Sequence, residues 1–184
     1  MWTPLSRRLA HSEKGAELVE IALALPFLLL MLLGLLDFGG AWVLKDQLTG
    51  AARDGARTAV ADFNDTTNPQ CGGTPCSVQA AASAVVQSLG DANVDTCGLT
   101  PSSMTPAAGA AFTWTYTSNT CTASNLPWTI KVERAVPQTV NGTIALSTRV
   151  TVAYPYAWNL GNVPVNPFGN TITLNSLEIM PNLN

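Results

Sequence analysis

Histidine is almost missing from this chain. The single one is His11, so no imidazole later in the sequence can serve a Ser-His-Asp or Cys-His arrangement. Positive charge is scarce as well. After residue 15, six basic residues stand against eleven acidic ones, and no basic stripe follows Arg57. That balance has the wrong sign for a nucleic-acid binder. No C-x-x-C pair occurs, which removes the usual spacing of a zinc site. Carboxylates after residue 64 are limited to Asp65, Asp91, Asp95, Glu133 and Glu178, and no metal-ligand or phosphate-loop spacing joins them. From these absences we expect no enzyme activity, no cofactor and no nucleic-acid partner.

The chain does have one long apolar run. A short polar leader, residues 1–15, carries Arg7, Arg8 and Lys14 against Glu13. Glu17 and Glu20 follow, and Ile21 to Leu36 is then free of charge, interrupted only by Pro26 and Gly34. Counting through Asp37, the largely apolar segment extends to Leu44. At about 1.5 Å per residue it covers a hydrocarbon core of about 30 Å with some tilt. It is too long for the apolar core of a signal peptide, and no small-x-small cleavage site directly follows such a core. Trp42 suits a membrane interface, and positive charge ahead of the span favours a cytoplasmic N-terminus with the C-terminal part exported. Pro26 removes one backbone bond and predicts a kink or local melting there.

The helical pattern continues past the span. Leu48, Ala51, Ala52, Gly55, Ala56, Ala59, Val60 and Phe63 recur at i, i+3, i+4 and i+7, with Arg53, Asp54, Arg57 and Asp62 opposite. An unbroken helix from Glu17 to Phe63 would be about 70 Å long and end at Asn64-Asp65-Thr66-Thr67-Asn68-Pro69. Its alanine- and glycine-rich stripe would let a domain or neighbouring helix pack closely. A second, short helix is expected over about Ser77–Leu89, with Ser77 as N-cap and Gly90 as its end. Four stretches then alternate as strands do: Phe112–Thr117, Trp128–Arg134, Ala145–Tyr154 and Thr171–Ile179. Asn141-Gly142 is a turn signal ahead of the third. The expected fold class is α+β: a long N-terminal helix, a short second helix and a roughly four-stranded antiparallel sheet. The expected domains are a leader (1–15), a transmembrane and spine helix (16–63) and an exported α+β domain (64–184).

All four cysteines, Cys71, Cys76, Cys97 and Cys121, lie in the exported part. An even count in a small exported domain favours two disulfides over buried free thiols. Cys71 and Cys76 bound a tight loop, and Cys97 and Cys121 flank the first strand. Three further features have two readings each. Asp37 either pairs with a partner helix or sits near the outer interface beside Trp42. Arg53 and Arg57 either dock a partner or form a solvated helix face. Phe112, Trp114 and Tyr116 share one strand face, as core or as a binding platform. In each case the plainer reading is the expectation. Asn64-Asp65-Thr66 and Asn141-Gly142-Thr143 match glycosylation acceptors, a pattern common by chance in Asn- and Thr-rich sequence.

Glu20 at the edge of the apolar run is expensive as an ion unless paired. It either snorkels to the headgroups or meets a cation, and a free α-amine at Ala16 after cleavage at Gly15 would be one. The run Gly15-Ala16-Glu17-Leu18-Val19-Glu20-Ile21-Ala22-Leu23-Ala24-Leu25-Pro26, then Gly34-Leu35-Leu36-Asp37-Phe38-Gly39 and Ala51-Ala52-Arg53-Asp54-Gly55-Ala56-Arg57, resembles a TadE-like pilus-assembly protein. Members are minor pilin-like components (pseudopilins) of Tad systems, a branch of type IV pili. Val150 to Tyr156, a loop, and Ile172 to Met180 resemble the family's final strands.

The resemblance implies a pilin-like fold and cleavage between Gly15 and Ala16 by a membrane prepilin peptidase. Glu20 would then be the mature chain's subunit-registration carboxylate. Ile21 departs from the aromatic residue that Tad pilins often carry after this glutamate. The implied partners are the peptidase, the major pilin, other minor pilins, the inner-membrane platform and membrane lipid. The implied location is the inner membrane, single-pass, with a periplasmic or extracellular domain or association with the pilus. A membrane-anchored adhesion or binding domain with no pilus role is the alternative. Intact mass of the protein from wild-type cells is expected to match a chain beginning at Ala16; retention of residues 1–15 would contradict it.

Overall fold

The computed structural model describes residues 13–62, 64–71, 73–100, 107–108, 111–140, 142–158 and 170–182. Most of the leader, Phe63 and Asn141 lie outside the described residues. The chain divides into two compact units after Gly39. Helix α1 (Glu13–Ala61) contributes to both. The remaining elements belong to the second unit: β1 (Thr67–Asn68), a single 3-10 turn (Pro69–Cys71), β2 (Thr74–Pro75), α2 (Cys76–Asp91), β3 (Ala107–Ala108), β4 (Thr113–Thr117), β5 (Thr129–Val140), β6 (Thr143–Ala157) and β7 (Thr171–Pro181).

The described part of the first unit, from Glu13 on, is helix. Alanine and leucine, both strong helix formers, dominate it, and α1 remains helical through Pro26. Helical backbone begins at Glu13, ahead of the expected start at Glu17, so the leader's last residues are already wound into α1.

In the second unit the stretch Gly40–Ala61 of α1 is the packing spine. Leu48, Ala51, Ala52, Ala56 and Ala59 are fully buried and join Val78, Ala81, Ala82, Val85 and Leu89 of α2 in one core. The strands contribute Tyr116, Ile130, Val132, Val150, Val152 and Tyr154. Gly55 sits where α1, α2 and the sheet meet. A Cβ there would stand 2.5 Å from Val85 Cγ2, 3.2 Å from the Ala81 carbonyl oxygen and 3.5 Å from Val150 Cγ1. The absence of a side chain at Gly55 therefore sets how closely α1 approaches both α2 and β6.

The sheet is antiparallel throughout, in the order β3-β4-β5-β6-β7. Its four long strands are the expected ones, and the two-residue β3 extends one edge. A separate ribbon pairs β1 with β2. Side chains alternate across the long strands. On one face Tyr116, Ile130, Val132, Val150 and Val152 enter the core. On the other, cross-strand neighbours Thr115, Lys131 and Thr151 lie beside Thr113, Glu133 and Arg149. Glu133 there is 2.9 Å from Lys131 Nζ and 3.6 Å from Arg149 Nη1. The β5–β6 register shifts between Glu133 and Val136, where Ala135 has φ +58°. This bulge re-aims the strand.

Three local expectations are corrected. Ser77 does not cap α2: the helix begins at Cys76 with Pro75 at the cap and no side-chain cap bond from that residue. Instead Asp65 accepts from the Ser77 N–H at 2.7 Å and from its hydroxyl at 2.8 Å. A carboxylate twelve residues upstream thus does what a local serine cannot do while its own hydroxyl is engaged. Gly90 does not end α2, which continues to Asp91 before Ala92. Phe112 leaves the aromatic face of its strand: its φ of +61° breaks the alternation and its side chain is 61% exposed. Tyr116 is fully buried and Trp114 packs against the core.

Gly55→Ala is expected to destabilise the domain by about 1–3 kcal/mol, because Val85 is β-branched and the Ala81 carbonyl is backbone, so neither yields easily. At Gly50, where a Cβ meets nothing within 4 Å, alanine is expected to stabilise the helix by about 0.5–1 kcal/mol. Denaturant melts of the two variants should separate in opposite directions from wild type.

Candidate functional site

Among the described residues, one helix is long and apolar enough to cross a membrane, beginning near Glu17. Its side chains from Leu18 to Leu36 lie almost entirely outside any core, including Phe27, Met31 and Leu35. An unpartnered apolar surface of this size on a helix is what a bilayer covers. Gly15 and Ala16 lie in the first turns of α1, and Glu20 is exposed one turn further on. Asp37 is different. It is only 5% exposed. Trp42 is 69% exposed.

Within the second unit, Arg53 and Arg57 are engaged on their own chain. Arg53 Nη2 is 3.4 Å from Glu178 Oε1 on β7, and Arg57 Nη1 is 3.8 Å from Asp54 Oδ1 on its own helix. Arg53 belongs to a row that sequence reasoning missed. Lys45 Nζ donates to the Asn175 carbonyl, the Ser176 hydroxyl donates to Thr49 Oγ1 at 2.9 Å, and Arg53 meets Glu178. Lys45, Thr49 and Arg53 are spaced four apart and so form one ridge of α1, which is laced along β7. The four-residue spacing of polar groups was the available signal, but the identity of the facing strand was not.

Both disulfides form within the chain. Cys71 pairs with Cys76 across the turn before α2, and Cys97 pairs with Cys121 in the core. The second closes a sequence separation of 24 residues, which limits the unfolded chain by about 3–4 kcal/mol on a loop-entropy view. The segment it staples is further held by Trp128 Nε1–H donating to the Thr96 carbonyl at 2.9 Å and by the Tyr154 hydroxyl donating to the Asp95 carbonyl at 2.8 Å.

Asp65 is the polar hub of the distal end. Besides Ser77, it takes a hydrogen bond from Arg134 Nη1 at 2.7 Å, and Arg134 Nη2 donates to the Asp62 carbonyl at 3.1 Å. Only 4% of the Arg134 side chain is exposed. The end of α1, the start of α2 and the bulged strand β5 are joined through these two residues. Burial favours protonation of Asp65, but the Ser77 N–H, Arg134 and the Ser77 hydroxyl together outweigh it and hold the carboxyl below its usual range. The parity of β5 offered a clue: Arg134 follows Ile130 and Val132 in core-facing register, a position that requires a carboxylate partner.

These features define a class: a protein whose N-terminal apolar helix, a candidate membrane anchor, continues into a disulfide-bridged α+β domain and forms part of its core. Residues 15–57 match the family model for TadE-like protein. The similarity covers 43 of the 184 residues, all of them on α1. Neither the curated proteins nor the solved structures returned a match to the chain.

The Asp65–Arg134 pair gives a signed pH dependence. The folded pKa lies below the unfolded value of about 3.9, so the contribution is complete above that value and fades as pH falls through the folded pKa. Arg134→Met removes a partner that lowers the Asp65 pKa. It is expected to cost about 3–5 kcal/mol at neutral pH. Because the folded and unfolded pKa values of Asp65 then lie closer together, the stability gap between wild type and variant is expected to narrow as pH falls through the acid range. Denaturant titrations across the acid range read both effects; a gap that stays constant with pH would contradict the assignment.

Proposed function

We propose that the protein is a minor pilin-like (pseudopilin) subunit that supports assembly of a Tad pilus. Its N-terminus is cytoplasmic, and its C-terminal domain lies in the periplasm or outside the cell. Prepilin peptidase cuts between Gly15 and Ala16, and Glu20 then meets the new α-amine of Ala16, on its own chain or a neighbouring one. The role is structural, with no catalysis of its own. Its partners are the peptidase, the major pilin, other minor pilins and the inner-membrane platform.

The observation that carries this reading is the TadE-like segment at residues 15–57. That segment contains the Gly15–Glu20 motif, the apolar run and the Gly55 packing site on one helix. Coupling anchor and domain through a continuous helix suits a subunit whose membrane segment must be positioned together with its domain. A carboxylate next to apolar surface is costly alone and favourable beside a cation, which suits Glu20 to setting the register between subunits.

Deletion of the gene is expected to abolish or sharply reduce surface pili, and the wild-type chain to restore them. Glu20→Lys is expected to reach the membrane at wild-type levels without restoring piliation. Full restoration by Glu20→Lys would count against registration, and normal piliation in the deletion strain would favour a membrane-anchored binding domain instead.

A further inference from the structure

Tryptophan and tyrosine are divided in this domain between its core and one end. Tyr116, Trp128 and Tyr154 are buried in the core, and Trp114 packs against it. The remaining described rings of these two types are Trp42, Tyr156 and Trp158, and all three belong to the end that carries Gly40.

The geometry follows from the run of two elements. Strand β6 passes Gly55 at Val150 and reaches Gly40 at Tyr156, whose hydroxyl lies 3.0 Å from where a Gly40 Cβ would stand. Between Val150 and Tyr156 a strand advances about 20 Å, and between Gly40 and Gly55 a helix rises about 22 Å. The two elements therefore run side by side and antiparallel over this length. The strand ends at Ala157, and the ring of Trp158, the next residue, meets that of Tyr156 edge-on at 5.2 Å. The Trp158 N–H donates to the Asn170 carbonyl at 3.1 Å, so the pairing with the β7 side holds this end in place. On the helix, Trp42 is 69% and Val43 57% exposed. The sequence Gly40-Ala41-Trp42-Val43-Leu44 is uncharged until Lys45, and Pro155-Tyr156-Ala157-Trp158 carries no charge either.

We infer that this end of the domain is a lipid-contacting surface, seated in the interfacial zone of a phospholipid bilayer through Trp42, Tyr156 and Trp158. The inference rests on the reading that α1 spans the membrane. It adds a second point of contact, supplied by β6 from the far end of the chain. Tryptophan and tyrosine concentrate at the headgroup level because each has an apolar body and a polar tip. Trp42 is exposed, whereas Tyr156 and Trp158 are half-buried with Trp158 Nε1 enclosed, so these two offer apolar ring surface rather than a polar tip. The three rings occur where the helix sequence changes from apolar to charged, which is the level of the headgroups for a spanning helix.

Fluorine NMR of the full chain, labelled with fluorotryptophan and reconstituted in phosphatidylcholine–phosphatidylglycerol nanodiscs, tests the inference. Signals are assigned with single Trp→Phe variants, and a headgroup-chelated gadolinium lipid is then added. The Trp42 and Trp158 resonances are expected to broaden or vanish, while those of Trp114 and Trp128 persist. If Trp42 is lost but Trp158 persists with the core signals, the inference is overturned and the spanning helix stands. If Trp42 also persists, the spanning reading itself fails. A soluble gadolinium chelate provides the complement: Trp158 is expected to be shielded in nanodiscs. Rapid loss of its signal to the aqueous chelate would overturn the proposal, as would shielding from both reagents, which would indicate cover by protein.

Discussion

The close approach of α1 to α2 and β6 at Gly55 is the constraint on which the domain depends. With no side chain there, the helix backbone lies against Val85, Ala81 and Val150 at once, and the alanines on either side complete a surface without projections. Buried alanines contribute little apolar area each. Their value is the short interlayer distance, which lets the larger side chains of α2 and the sheet close into a single core. The two-layer arrangement follows: helices on one sheet face, and on the other a polar face of threonines with the Lys131–Glu133–Arg149 cluster.

Around this contact the polar interactions act as positioning devices at separate places. The Lys45, Thr49 and Arg53 ridge aligns the helix with β7. Arg53 and Glu178 are partly solvated, so this row defines register more than it adds stability. Asp65 and Arg134 work where water is largely excluded. Removing either one would leave the other's charge poorly compensated, so the pair strongly specifies how the end of α1, the start of α2 and the β5 bulge meet. The Cys97–Cys121 bridge and the Trp128 and Tyr154 hydrogen bonds hold the stretch Asp95 to Cys97 that follows α2.

For function, the important property is that one helix carries two kinds of surface. From Leu18 to Leu36 it presents bulky apolar side chains that no part of the core covers, and from Leu48 to Ala59 it presents small residues that are fully buried. The first is suited to lipid and the second to protein. The TadE-like match, residues 15–57, covers the first and most of the second.

The sequence by itself determined the features that depend on periodicity and composition. The apolar run, its continuation as a small-residue stripe, the second helix and the four long strands are local patterns, and a helix or strand makes its period visible along the chain. The Gly15–Glu20 motif is likewise contiguous. Only the tertiary structure decided which distant groups meet. Ser77 loses its capping role because Asp65 reaches it from another segment, Phe112 turns outward because its backbone leaves the strand region, and Asp37 is withdrawn from solvent. Arg134 finds Asp65, and Tyr156 comes to rest over Gly40, for the same reason. Burial and pairing across many residues depend on how the layers close, and a linear pattern records which face a residue occupies but not what stands opposite it.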